Sequence, residues 1–108
     1  MKTMLENDRV IFCPKGRIDA NNALTVEAEM ISELEAHPGA NVSIDAGKLA
    51  YISSAGLRVL LKLLEHLGGK LTVFNVSPEI YDIFEITGFT KLFEVKNACG
   101  RSPWRVAS

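Results

Sequence analysis

The sequence predicts an α/β fold with a largely parallel sheet of four to five strands. Two observations carry that expectation. Apolar segments of strand length alternate with segments of helix length, and glycine, proline and asparagine fall at the junctions between them. Alternation in this order favours parallel strands joined by right-handed helical crossovers. At 108 residues, with 47% hydrophobic and 23% charged side chains, the chain has the size and composition of a globular unit. Residues 1–108 are therefore expected to form a single domain. Its end, 97–108, is expected to be a weakly structured tail, because Gly100 and Pro103 interrupt faint helix signals there.

The first strand is expected from Arg9 to Ile18, with Val10 and Phe12 on one face and Ile11 and Cys13 on the other. Pro14 lacks a donor and marks an edge or a bulge within it. A short strand before residue 8 would add a fifth. Asn21 and Asn22 are N-cap candidates for a helix reaching about Ala36. Val26, Met30, Ile31 and Leu34 form its buried stripe, and His37-Pro38-Gly39 stops it. Asn41 to Asp45 alternates as a short strand, and Ala46-Gly47-Lys48 reads as a turn.

The helix after Ser54 carries Leu57, Leu60, Leu61, Leu64 and Leu67 at helical spacing, and Val59 and Leu63 widen the apolar arc. Burial against a neighbouring helix and exposure as a docking patch are both open for that wider arc. Gly68-Gly69 closes the helix, and Lys70 to Asn75 is the next strand. Ser77-Pro78-Glu79 combines a capping hydroxyl, a first-position proline and a first-turn acid, which starts a helix that ends at Thr87-Gly88. Leu92 to Val95 is the final strand.

Charge and composition exclude several function classes. The 12 basic and 13 acidic residues are scattered, so no basic run offers a footprint for direct nucleic-acid binding. The most apolar window, Leu57 to Leu67, is broken by Arg58, Lys62, Glu65 and His66, which argues against membrane insertion. Residues 1–8 carry Glu6 and Asp8 where a secretory signal needs an apolar run, so the expected location is cytoplasmic. Cys13 and Cys99 stand in no metal-ligand spacing and read as reduced thiols; no metal or cofactor is expected.

The informative stretch runs from residue 45 to residue 58. Asp45 ends a predicted strand, where open α/β sheets place their sites. Ser53 and Ser54 then precede a helix that begins Ala55, Gly56, Leu57, and that helix start presents free backbone N–H groups and a partial positive charge. A serine there is either a plain N-cap or a phosphate acceptor; a phosphoryl group would add about −1.5 to −2 charges opposite the helix N-terminus. Gly56 costs about 0.5–1 kcal/mol relative to alanine in a helix. Tight packing on its own sheet and close approach of a bound group would each explain it.

The residues in this stretch also resemble a known family. Ile44-Asp45 followed by Tyr51-Ile52-Ser53-Ser54-Ala55-Gly56-Leu57-Arg58-Val59-Leu60-Leu61 is similar to the signature of STAS domains in anti-sigma factor antagonists. Gly16-Arg17-Ile18-Asp19 and Ile86-Thr87-Gly88-Phe89-Thr90-Lys91-Leu92-Phe93 resemble two further family motifs, and the three lie in the family's order. The resemblance implies a mixed sheet flanked by helices and a binding protein without catalytic activity. It implies partner switching: a serine-kinase anti-sigma factor binds the unphosphorylated chain, phosphorylates it to end the interaction, and a PP2C-type phosphatase reverses the step. The acceptor implied is Ser54, two residues before the motif glycine, with Asp19, Asp45, Ser53, Ala55, Gly56, Leu57 and Arg58 lining the partner-binding site. The chain departs from sporulation-type members in having Ser53 where they often carry an acid, and Gly47 where many carry a serine.

Two other readings compete. One is a constitutive assembly module of a transporter or sensory complex, without phosphorylation. The other is a small hydrolase built on Ser54, which needs a general base. The histidines are His37, in a helix-ending turn, and His66, about 18 Å along the same helix at 1.5 Å per residue. Neither reaches Ser54, and no Gly-x-Ser-x-Gly elbow is present.

Overall fold

The computed structural model describes residues 2–6 and 8–97. Five strands form the main sheet, and two short strands form a second one. In chain order the elements are β1 (Lys2–Glu6), β2 (Arg9–Cys13), β3 (Gly16–Ile18), α1 (Ala23–Ala36), β4 (Asn41–Asp45), β5 (Leu49–Ile52), α2 (Ser54–His66), β6 (Thr72–Val76), α3 (Pro78–Thr87), a 3-10 turn (Phe89–Lys91) and β7 (Glu94–Asn97). The large sheet has the order β1-β2-β4-β6-β7, and β3 pairs with β5. Only β1 runs antiparallel to its neighbour, so the sheet is mixed and largely parallel, as the alternation predicts.

The expected long strand from Arg9 to Ile18 is instead two strands in two sheets. Pro14, buried and without an N–H, cannot continue the ladder beyond Cys13. Gly16 then turns at φ 79° and donates its N–H to the Lys48 carbonyl at 2.9 Å. That bond redirects the chain onto β5, where Arg17 faces Tyr51 and Ile18 faces Ile52. β5 itself has no counterpart in the sequence reading. Only its end residues Leu49 and Ile52 are buried, so it shows no alternation. The N-terminal strand exists, and the last strand begins at Glu94 rather than Leu92, because Phe89–Lys91 forms a 3-10 turn first. Cys99 and the tail beyond Asn97 lie outside the described residues.

Val10, Phe12, Val42, Ile44 and Val73 face the core from the large sheet. Against them pack Ala23, Val26 and Met30 of α1, Val59, Leu60 and Leu63 of α2, and Ile80 and Phe84 of α3. Burial of such side chains is worth about 1.5–3 kcal/mol each and drives the assembly. Val59 is 2% and Leu63 1% exposed, so the wide arc of α2 is spent within the fold, and Lys62 reaches Glu27 of α1 at 3.7 Å. Leu61, at 37%, and the half-buried Leu67 are the residues of that arc left partly outside. α3 has the predicted ends: Ser77 Oγ accepts from the Ile80 N–H at 3.3 Å, Pro78 follows, and Gly88 closes at φ 82°. Among the described residues no helix is long and apolar enough to cross a membrane.

Candidate functional site

The carboxyl ends of β3 and β5 emerge side by side and deliver Asp19 and Ser53 to the same corner. The Ser53 N–H donates to the Ile18 carbonyl at 2.9 Å, which pins the start of α2 to β3. Ser53 is extended (φ −91°, ψ 177°), and its Oγ accepts from the Gly56 N–H at 3.3 Å. Its carbonyl accepts the first helical bond, from the Leu57 N–H at 2.8 Å. Ser53 is therefore the N-cap in both side chain and backbone. Ser54 is the first helical residue; it is exposed, and its hydroxyl makes no hydrogen bond among the described residues.

Gly56 lies beneath the two serines. A β-carbon there would stand 2.6 Å from Ile52 Cγ1, 2.9 Å from Ile18 Cγ2 and 2.9 Å from the Ile18 carbonyl oxygen. Contact of α2 with its own sheet accounts for this glycine. Gly56 and Leu57 are buried and support Ser54 from below, Ala55 is half-buried, and Arg58 is exposed one turn along from Ser54.

Asp19 organises the loop beside them. Its Oδ2 accepts from Arg17 Nε at 2.9 Å and its Oδ1 from the Asn21 N–H at 3.0 Å. Asn22 answers by accepting from the Asp19 N–H at 2.8 Å and donating to the Arg17 carbonyl at 2.8 Å. Asn22 stands at the N-cap position of α1 but makes no side-chain cap bond, because that side chain closes the β3–α1 loop instead. The Arg17 guanidinium also lies 5.1 Å from the Tyr51 ring centroid, a cation–π stack at the exposed edge of β5.

Asp45 belongs to a different cluster. Its Oδ1 accepts from the Gly47 N–H at 2.9 Å and from Asn75 Nδ2 at 3.1 Å, with Asn75 held at φ 57°. It lines a pocket with Lys2, Met4, Cys13, Lys15 and Lys48. Burial, and then the Asp45 charge, raise the Cys13 thiol pKa above its ordinary 9.0. The contacts of Asp45 run to these residues and not to Ser53 or Ser54.

One surface residue escaped the sequence reading. Leu24 is 78% exposed in the first turn of α1, and with Ala20, Ala55, Arg58 and Lys62 it lines a shallow groove beside Ser54. Its signal is its position off the buried Ala23–Val26–Met30 stripe, which leaves a large apolar side chain facing water. His66 ends α2 at the opposite end from Ser54. Among the described residues no group of three or more His, Cys, Asp or Glu side chains could hold a metal ion.

Comparison with known proteins places this architecture. Residues 2–101 match the STAS domain family model. A Bordetella bronchiseptica protein named as an anti-sigma factor antagonist, BtrV, is 38% identical over 92 residues, which are 82% of this chain and 78% of that protein. An anti-sigma-B factor antagonist of Listeria monocytogenes is 31% identical over 98 residues, covering 88% of this chain and 85% of the relative. Among solved structures, the unphosphorylated form of the anti-sigma factor antagonist SpoIIAA aligns with a TM-score of 0.64 at 16% identity, over 98% of this chain and 92% of that one. A Thermotoga maritima protein described as an anti-sigma factor antagonist aligns with a TM-score of 0.80 at 17% identity, over 99% and 94% of the two chains. At such identities the structural likeness speaks for the fold.

Proposed function

The chain belongs to the STAS domain family, and from that premise we propose that it is an anti-sigma factor antagonist switched by phosphorylation at Ser54. The observation that carries the reading is the division of labour between two adjacent serines. Ser53 spends its hydroxyl on the Gly56 N–H, whereas Ser54 presents an exposed hydroxyl at the first helical position. A kinase can reach Ser54 without undoing the cap. The relatives named as anti-sigma factor antagonists support the partner class.

Phosphorylation would put about −1.5 to −2 charges at this position. The fold can tolerate them: the N-terminus of α2 favours an anion, and Arg58 lies one turn along the same helix. A partner surface fitted to a neutral hydroxyl cannot. Introducing a desolvated, unpaired charge at such a contact costs several kcal/mol, enough to dissociate a micromolar or nanomolar complex. The partner is an anti-sigma factor with serine-kinase activity, a PP2C-type phosphatase resets the switch, and the circuit operates in the cytoplasm. The chain acts by binding rather than by catalysis, with Asp19, Ala55 and Arg58 around the switch residue, while Asp45 anchors the separate turn beside Cys13.

The test is intact-mass measurement after incubation with the partner kinase and ATP. One added phosphoryl group should map to Ser54, disappear in Ser54→Ala and persist in Ser53→Ala. Modification at Ser53, or none by a kinase that binds the chain, would overturn the assignment.

A further inference from the structure

β1 ends the large sheet, so one of its edges bonds β2 and the other has no strand partner among the described residues. Edge strands are normally blunted by proline, a bulge, a very short length or charged side chains along the strand. β1 has five residues without proline, and its register with β2 runs unbroken from Lys2↔Cys13 to Glu6↔Arg9. Met4 and Leu5 are 39% and 54% exposed on it. The charges it carries are Lys2 at one end and Glu6 at the other.

We propose that two copies of this chain pair antiparallel through β1, joining their sheets across a two-fold axis at Met4. The segment Lys2-Thr3-Met4-Leu5-Glu6 is self-complementary. Residues that turn their N–H and C=O to the same edge alternate, so self-pairing must match residues of like parity. The register centred on Met4 does this and uses all five residues. Lys2 then faces Glu6 of the partner subunit at both ends, Thr3 faces the partner's Leu5, and Met4 faces the partner's Met4. Glu6 already stands opposite Arg9 within its own chain, so it would lie between Arg9 and the partner's Lys2. Ile11, opposite Met4, extends the apolar row on each side of the axis. Shifting the centre to Thr3 or Leu5 leaves end residues unpaired and separates the charges. A two-fold contact of this kind is isologous and closes at two copies.

Sedimentation equilibrium of the full chain tests this with two charge variants. Wild type should dimerise, and hydrogen exchange at the β1 amides should slow as concentration rises. Lys2→Glu alone opposes Glu to Glu at both ends, and Glu6→Lys alone opposes Lys to Lys, so each should be monomeric with an unchanged circular dichroism spectrum. Mixed, the two should form a one-to-one heterodimer, because both ends become complementary again. A wild-type chain that stays monomeric at high micromolar concentration overturns the proposal. So does a dimer that survives both variants, or a mixture that does not associate. Should Glu6→Lys fail to fold, the concentration dependence of β1 exchange in wild type and its loss in Lys2→Glu decide the question.

Discussion

Gly56 packs so closely on Ile18 that a β-carbon at position 56 would stand 2.9 Å from the Ile18 carbonyl oxygen. The start of α2 therefore rests on β3 with no room for a side chain. This contact holds the serine pair at a fixed height above the sheet.

Gly56→Ala should consequently destabilise the fold, against the usual trend for helices. Alanine gains up to about 1 kcal/mol of helix propensity. Its methyl group would also meet Ile52 Cγ1 at 2.6 Å and a backbone oxygen that cannot rotate away. Overpacking of this kind costs about 1–3 kcal/mol. Urea denaturation should show a lower midpoint at unchanged slope, and Gly56→Val should be worse. A stabilised Gly56→Ala variant would contradict the close contact.

The two serines should separate cleanly in stability. Ser53→Ala removes the acceptor of the Gly56 N–H and should cost about 1 kcal/mol. Ser54→Ala removes an exposed hydroxyl and should change stability by no more than about 0.5 kcal/mol. Equal losses in the two variants would mean that the capping role is shared.

Asp45 should behave as a turn anchor. Its Oδ1 holds both the Gly47 N–H and the Asn75 amide, so Asp45→Ala should cost about 1–3 kcal/mol by leaving those donors without their acceptor. Asp45→Asn, which keeps a carbonyl oxygen at that position, should recover part of the loss. Urea midpoints of the two variants decide it.

Cys13 supplies a chemical probe of the same corner. Burial first, and Asp45 second, hold its thiol pKa above 9.0. Only the thiolate reacts, so in a Cys99→Ser background iodoacetamide should label Cys13 more slowly than a free cysteine at pH 8. Asp45→Asn should speed that labelling. The linkage has a definite sign: the folded chain binds this proton more tightly than the unfolded one, whose thiol titrates near 9.0. The contribution to stability is complete below that pH and is lost as pH rises through the folded value. Faster labelling than in the free amino acid would contradict the burial.

Where residues signal through local chemistry, the sequence read well. β4 was legible residue for residue because Val42 and Ile44 alternate with polar neighbours, and α3 because Ser77, Pro78 and Gly88 mark both ends. The split between β2 and β3 was not legible, since the pairing of Gly16 with Lys48 is a tertiary event. β5 carries no period-2 signal, because its two middle residues are both exposed and its two ends both buried. The choice of Ser54 over Ser53 rests on the resemblance, through the motif glycine; the structure adds that the Ser53 hydroxyl is engaged by the Gly56 N–H, which spacing alone does not reveal. That Asp19 joins this corner while Asp45 belongs to the Cys13 pocket could not be read from spacing, because each is set by which neighbouring strand it meets.

The most direct test of the central claim compares the affinity of the partner anti-sigma factor for this chain before and after stoichiometric phosphorylation at Ser54, by isothermal titration calorimetry. A loss of at least about a hundredfold, roughly 2.7 kcal/mol, restored by phosphatase treatment, is the predicted result. Equal affinity for the two forms would contradict it.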